Sequence, residues 1–327
     1  MTDAAKAPCD VSVVIPVYRS AETLPELSDR LAAVLDALGV SWEVVFVDDG
    51  SPDDSWQAIL DFRRRRPERV SGVQLMRNFG QHNALMCGLR RARGEVVITM
   101  DDDLQHPPEE IPKLLAALRE RNDDLVYGAP DDRQHRSWRN AGSRLLTSVF
   151  RWLFGLGIGF TSFRAMRREL AQSVFAYDLN FTFLDGLLAW NTTRISEVTT
   201  RHDVRAEGES GYSFGKLLVL SLNMLTNFSL VPLQVVTWLG VAAAGGGLVL
   251  GSYYLVAALS ARIVVPGYAS IIVAVLTLGG VQLLALGMIG EYLGRVHLNI
   301  NRKPQFVVRR VVGPDSGRAA GHEAPPS

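Results

Sequence analysis

Between Leu217 and Gly290 the chain carries one formally charged side chain, Arg262. No other feature constrains the fold so strongly, because a helical hairpin of this length in water needs polar faces. Two apolar runs lie inside the stretch, about Leu233 to Leu259 and Ala269 to Gly290, and each reaches the ~20 residues that a helix needs to cross ~30 Å of hydrocarbon. Two membrane-spanning helices are expected rather than a buried soluble pair. Gly245, Gly246 and Gly247 fit that reading, since small residues let helices approach closely in lipid, and Gly247 and Gly251 repeat the GxxxG spacing of associating helices. Basic residues fall outside the apolar region, with Lys216 before it and Arg295, Arg302, Lys303, Arg309 and Arg310 after it, while the connecting loop holds only Arg262. Both ends of the hairpin are therefore expected on the cytoplasmic side. The first ten residues lack the basic-then-apolar pattern of a signal peptide, so the N-terminal domain is expected to stay in the cytoplasm. Lysine plus arginine balance aspartate plus glutamate, 34 against 34, so no nucleic-acid partner is expected. Cys9 and Cys87 stand too far apart to suggest a disulfide framework or a zinc site.

Ahead of the hairpin the pattern alternates between strand and helix. Val11 to Tyr18 reads as an apolar strand, followed by leucines at 24, 27, 31, 35 and 38 at helical spacing. A second strand, Trp42 to Val47, runs into Asp48-Asp49-Gly50-Ser51-Pro52-Asp53-Asp54, where glycine and proline force a turn and Asp53 or Asp54 can cap the next helix. A third strand, about Val70 to Leu75, leads to Arg77-Asn78-Phe79-Gly80-Gln81 and a helix, and a fourth, Glu95 to Met100, ends in Asp101-Asp102-Asp103-Leu104-Gln105. Such alternation predicts an α/β domain with a mostly parallel, right-handed crossover sheet. All the polar clusters follow strands, which is where open α/β sheets bind ligands. GxGxxG is absent after the first strand, which argues against a dinucleotide-binding Rossmann domain.

Taken alone, three consecutive acids read as a solvated loop or a helix cap. At a strand end, alternate carboxylates with a nearby amide oxygen also suit a hard divalent cation already carried by phosphates. Further on, Asp131 to Arg139 is a polar loop dense in arginine, and an apolar helix from about Ala141 to Phe154 follows it. The loop reads either as a solvated basic segment or as a site for anionic lipid or phosphate near a membrane surface. Ser162-Phe163-Arg164 falls on a strand, Phe181 to Trp190 on an amphipathic helix, and Thr193 to His202 on another strand that delivers the Gly- and Ser-rich loop 202–213, a candidate lid. A helix at 214–230 is expected to lie in the membrane interface, and the tail after Val312, rich in Gly, Pro and Ala, to be disordered. The expected division is therefore a tail 1–10, a catalytic domain 11–213, the interfacial helix 214–230, two spans within 231–290 and a cytoplasmic C-terminal segment 291–327.

Taken together, VSVVIPVY, VDDGSPDD, RNFGQHNALMCGL, DDDLQHPPEE, Arg205 to Ser210, TNFSLVPL and GEYLGR resemble, in order and spacing, the family-2 glycosyltransferases of GT-A fold. Within them the chain resembles the polyprenyl-phosphate glycosyltransferases, such as dolichyl-phosphate mannose synthase, bactoprenol glucosyltransferases and the undecaprenyl-phosphate aminoarabinose transferase. The resemblance implies that Pro16, Tyr18, Asp48, Asp49, Arg77, Gln81 and Asp101 border the nucleotide of a nucleotide sugar, with Glu22 and Asp102 as further candidates. Asp103 and Gln105 would hold Mg²⁺ or Mn²⁺, Arg205 would reach in from the loop as a catalytic residue beside Asp103, and Arg133, Arg139, Ser162 and Arg164 would receive the acceptor phosphate. In two places the chain departs from the pattern. Arg19-Ser20 stands where the family often has Asn-Glu, and Asp102 occupies a position that is often small.

A lipid monophosphate acceptor is already largely ionised near neutral pH, its second pKa being about 6, so arginines can position it and no general base is required. Neither the Glu-Asp base pair nor the Gln-x-x-Arg-Trp motif of the family's polysaccharide synthases is present; Gln134 to Trp138 reads QHRSW. The expected activity is inverting, metal-dependent transfer to a polyprenyl phosphate, with UDP and undecaprenyl phosphate favoured by likeness to bacterial members. A polysaccharide or glycolipid synthase with a hydroxyl acceptor and an inactive membrane scaffold are the competing readings. The resemblance also implies a bacterial inner-membrane, multi-pass enzyme of cell-envelope or lipopolysaccharide assembly, forming a homo-oligomer, with a tetramer among the arrangements.

Overall fold

The computed structural model describes residues 9–130, 161–177, 182–203, 231–259, 268–300 and 304–314. Arg133, Arg139, Arg205, the expected helix at 141–154 and the interfacial segment 214–230 lie outside the described residues. Two units emerge, one formed by residues 1–212 with 304–327 and the other by 213–303.

The first unit is an eight-stranded sheet in the order β7-β5-β6-β4-β1-β2-β3-β8. Its centre comes from β1 (Cys9–Val17), β2 (Trp42–Asp48), β3 (Val70–Leu75) and β4 (Gly94–Thr99), all mutually parallel. These strands are runs of Val, Ile and Phe because helices cover both faces, and nearly every side chain of β1 and β2 is buried. Helix α1 (Leu24–Ala37) buries Leu24, Leu27, Leu31 and Leu35 at the expected spacing, each contributing about 2 kcal/mol relative to exposure. Three more helices follow in turn, α2 (Ser55–Arg65), α3 (Gln81–Leu89) and α4 (Ile111–Glu120). At the lower end of the sheet one buried carboxylate ties three elements together. Glu43 on β2 accepts from Ser12 Oγ of β1 at 2.6 Å and from Arg93 N and Nε, ahead of β4, at 2.7 and 2.8 Å.

The sheet is mostly parallel, as expected, but its outer part adds two antiparallel strands. Strand β5 (Leu125–Pro130) pairs in parallel with β7 (Ile195–Thr200), but β6 (Arg164–Arg167) runs antiparallel to both β4 and β5. Strand β8 (Val308–Val312) lies antiparallel to β3 on the far edge. Antiparallel neighbours need no crossover helix, so strand–helix alternation carries no trace of them, and the sheet is mixed.

The second unit contributes helices Val231–Leu259 and Tyr268–Ile300, 29 and 33 residues long. Among the described residues one segment, Val231–Val249, with mean hydropathy 1.4, is long and apolar enough to cross a membrane by length and composition. A shorter apolar stretch covers Leu278–Gly294. Trp238, Leu248 and Leu283 are exposed by 71%, 73% and 72%, a degree of apolar exposure that monomers in water seldom carry over a contiguous surface.

Candidate active site

Four loops leave the C-terminal ends of β1 to β4, and hydrogen bonds join them. Asp49, after β2, accepts from the backbone N–H groups of Phe79 and Gly80, after β3, at 2.7 and 2.8 Å. Gly50 takes a left-handed φ of +69°, and a Cβ there would meet the Arg77 carbonyl carbon at 2.6 Å, so only glycine lets these two loops approach. Asp48 is fully buried and accepts from Ser51 N at 2.9 Å and Gln74 Nε2 at 3.1 Å. Burial raises the pKa of Asp49 above the usual carboxylate range, against the opposing pull of its two N–H partners.

Every backbone N–H from residue 18 to residue 21 is claimed by a neighbouring loop. Tyr18 N donates to Asp102 Oδ2 at 3.0 Å, Arg19 N to Ser51 Oγ at 3.2 Å, Ser20 N to Ser55 Oγ at 2.9 Å and Ala21 N to Asp53 Oδ2 at 3.2 Å. Asp53 also accepts from Ser55 N and Oγ at the start of α2, so of the two candidate caps it is Asp53 that acts. Arg19 sits at φ +58°, its guanidinium 5.3 Å from the centre of the Tyr18 ring.

The three acids after β4 divide their work. Asp101 accepts from Gln81 Nε2 at 2.6 Å and from Ser162 Oγ. Burial, with Asp103 and Asp102 adding to it, pushes its pKa up to about 6 against the Ser162 hydrogen bond. Asp102 turns back to the first loop, accepting from Tyr18 N and from Ser20 Oγ, while its carbonyl accepts from Thr23 Oγ1 at 2.7 Å. Asp103, partly exposed, accepts from Gln105 N at 3.1 Å within its own turn, where Leu104 adopts φ +61°.

The structure thus brings Tyr18, Arg77, Gln81, Asp101, Asp103, Gln105 and Ser162 onto loops at one end of the sheet. Tyr18 is 41% exposed, Arg77 is exposed with its guanidinium 4.6 Å from the Phe79 ring centre, and Glu22 is exposed just ahead of α1. Four expected contacts are placed elsewhere, among them Asp49, which is 3% exposed and held by the β3 loop. Pro16 is buried within β1, and Asp48 is buried and engaged inside its own loop. Arg164, expected to receive a phosphate, is 1% exposed. Its guanidinium donates to Asp185 Oδ1 and to Thr99 Oγ1 at 3.0 Å, and Tyr127 OH donates to the same Asp185 oxygen at 2.9 Å. Thr99 Oγ1 in turn donates to the Ser162 carbonyl at 2.6 Å, so Arg164 supports the wall of the site from within.

Two histidines escaped the sequence reading. The His106 ring stacks on Phe163 with centroids 5.2 Å apart, and His202 meets it edge-on at 4.9 Å. Burial, with His202 adding to it, pushes the His106 pKa down to about 4, and its Nδ1 is buried with no hydrogen-bond partner among the described residues. Asp203 N donates to the Gln105 carbonyl at 2.9 Å, so the chain reaches the carboxylate loop two residues before Arg205. The only signal in the sequence was the position of His106 beside Gln105, and nothing marked His202 as its neighbour.

No group of three His, Cys, Asp or Glu side chains capable of holding a metal occurs among the described residues. Asp103 and Gln105 offer one carboxylate and one amide oxygen. That donor set fits a hard divalent cation whose other ligands are phosphate oxygens, and it does not fit a free-standing metal centre.

A sheet that gathers interlocked polar loops at the C-terminal ends of its central parallel strands is a ligand-binding α/β domain. Residues 12–175 match the family model described as Glycosyl transferase family 2. The chain belongs to that family. Over 310 residues it is 33% identical to the undecaprenyl-phosphate 4-deoxy-4-formamido-L-arabinose transferase of Salmonella paratyphi A, with 94% of each chain covered. Among solved structures it is similar to glucosyl-3-phosphoglycerate synthase from Mycobacterium tuberculosis, with TM-score 0.49 and 23% identity over 68% of this chain and 78% of that one. S. aureus TarS 1–349 gives TM-score 0.46 and 21% identity over 66% of each chain.

Proposed function

We propose that the chain transfers a sugar from a nucleoside diphosphate sugar, with UDP favoured, to undecaprenyl or another polyprenyl phosphate at the cytoplasmic face of a bacterial membrane. The observation that carries this reading is the end-to-end match to an undecaprenyl-phosphate sugar transferase, which extends over 94% of both chains and so includes the apolar helices. Those helices are read as a hairpin of two spans, with the domain and both termini cytoplasmic and the enzyme a homo-oligomer. The hairpin holds the protein at the surface to which a lipid phosphate is confined.

In this reading the donor lies across the four loops, its nucleotide beside Tyr18, Arg77, Gln81 and Asp101. Asp103 and Gln105 would hold Mg²⁺ or Mn²⁺, which when bound supplies positive charge to the departing diphosphate. Arg205 would add a second positive charge from the loop after Asp203. Attack by a phosphate oxygen of the acceptor on the anomeric carbon forms the new bond as the bond to the diphosphate oxygen breaks, its electron pair leaving with the nucleoside diphosphate. The configuration inverts. An ionised phosphate brings no proton to remove, so the protein's part is to orient both partners and to exclude water. Arg133 and Arg139 are the acceptor-side residues in this account. The buried Arg164 is not proposed as one, and Ser162 serves through Asp101.

The test measures nucleoside diphosphate release by the full-length enzyme in lipid nanodiscs across a panel of nucleotide sugars. Release is expected only when a divalent cation and polyprenyl phosphate are both present. R133A and R139A are expected to raise KM for the lipid about ten-fold or more, the loss of a charge-assisted contact, with KM for the donor little changed. Release supported equally by a hydroxyl acceptor would overturn the proposal.

A further inference from the structure

Asp102 is the acid of the β4 loop that engages the β1 loop, at three points. Its Oδ2 accepts from Tyr18 N at 3.0 Å and from Ser20 Oγ, and its backbone carbonyl accepts from Thr23 Oγ1 at 2.7 Å. Ser20 is buried, and its own N–H is held by Ser55 Oγ at 2.9 Å. The first loop is therefore strung between two anchors, Ser51, Asp53 and Ser55 on one side and Asp102 on the other. Between them lie the exposed Tyr18 ring and Arg19, the latter in a left-handed conformation that a non-glycine residue holds only when its surroundings enforce it. Ser20 and Asp102 are also the two places, one in each loop, where the sequence departs from the pattern it resembles, and in the structure they bond to each other.

We propose that Asp102 is a positioning residue that, through Ser20 and the Tyr18 N–H, fixes Tyr18 and Arg19 at a set distance from Asp103. The spacing between the nucleoside end and the diphosphate end of the donor site is then set by one clamp. Asp102 acts as a hydrogen-bond acceptor, not as a metal ligand. The inference rests on the donor-site reading of the four loops, and it adds that the neighbouring acids at 102 and 103 do separate jobs.

The experiment measures Kd for UDP and for GDP in the presence of Mn²⁺ by calorimetry on the full-length protein in nanodiscs, with thermal midpoints recorded alongside. For the nucleotide that binds, D102A is expected to raise Kd about ten-fold, the loss of hydrogen bonds to a charged acceptor. D102N keeps an oxygen that accepts both bonds and is expected to restore Kd to within about three-fold of the parent. S20A is expected to raise Kd by a smaller factor, and S20A combined with D102A to bind no worse than D102A alone, because the two residues share one interaction. If D102A fails to fold, S20A and D102N carry the test.

An unchanged Kd in D102A and S20A, even with a lowered thermal midpoint, would show a merely structural acid and overturn the clamp. Failure of D102N to restore binding would show that charge matters and not acceptance, which overturns it as well, and additive losses in the double variant would do the same. A parent protein that binds neither nucleotide would overturn the donor-site reading and the clamp with it.

Discussion

The loops after β2 and β4 look alike as sequence and behave differently as structure. Each places adjacent aspartates at the C-terminal end of a central parallel strand, Asp48-Asp49 in one and Asp101-Asp102-Asp103 in the other. In the β2 loop both carboxylates face inward. Asp48 is fully buried, Asp49 is 3% exposed, and between them they hold Ser51, Gln74, Phe79 and Gly80. The β4 loop also assigns Asp101 and Asp102 to its neighbours, the first through the Gln81 and Ser162 side chains and the second through Tyr18 N and Ser20 Oγ, while Asp103 accepts from Gln105 N within its own turn. In the proposed function Asp103 is the reagent and the neighbouring acids are mortar. Which donors the fold brings to each acid decides its part, and composition does not reveal them.

The sharpest way to break this contrast is to remove Asp103, the acid that the proposed function gives to the metal. D103A is expected to lower turnover by roughly a thousand-fold, the scale of removing a group that supports charge on the leaving group, while the thermal midpoint stays within about 2 °C of the parent. Steady-state release of nucleoside diphosphate together with a melting curve checks both halves. A folded D103A with parental turnover would leave the two loops functionally alike.

Replacing a carboxylate of the β2 loop should give the converse result. D49A strands the Phe79 and Gly80 N–H groups, and two donors left without partners at a partly buried site cost about 3 kcal/mol. A thermal midpoint lower by several degrees is expected, with whatever folded fraction remains still turning over. A D49A variant with parental stability and severely reduced turnover would mean that Asp49 meets the substrate after all.

Much of this architecture was legible before any coordinates. Strands β1 to β4 and helices α1 to α4 follow from apolar runs, leucine spacing and turn residues, and the loops they deliver fall at the expected end of the sheet. Strand β8 was not legible. Val308 to Val312 is short and carries Arg309 and Arg310, so it reads as a charged segment beyond the hairpin, and its strand character comes from pairing with β3, over 230 residues earlier. Arg164 was misjudged for a related reason. An arginine on a strand beside a serine looks available for a phosphate, and only the fold reveals that Asp185, 21 positions later, reaches back to neutralise it. Sequence reading locates loops well because they follow from local pattern, and it misassigns side chains whose partners are distant in the chain.

The smallest effect concerns the support beneath the β3 loop, whose turn Asp49 holds. His82 follows that turn on α3, with its ring 5.1 Å from Phe183 and its Nδ1 accepting from Leu184 N at 3.4 Å. Burial lowers its pKa below the ordinary 6.5, with Asp185 pulling the other way and Arg164 adding to the depression. A histidine kept neutral in the folded state binds its proton more readily once unfolded. The stability it supports is fully present above pH 6.5 and declines as pH falls below that value, by at most about 1.4 kcal/mol per pH unit. H82Q keeps a hydrogen-bonding side chain and cannot titrate. Across pH 5 to 6.5 its thermal midpoint is expected to fall less steeply than that of the parent. Parallel slopes for H82Q and the parent would show that His82 protonates as easily in the folded state as in the unfolded chain, and acid sensitivity would then have to arise away from the β3 loop.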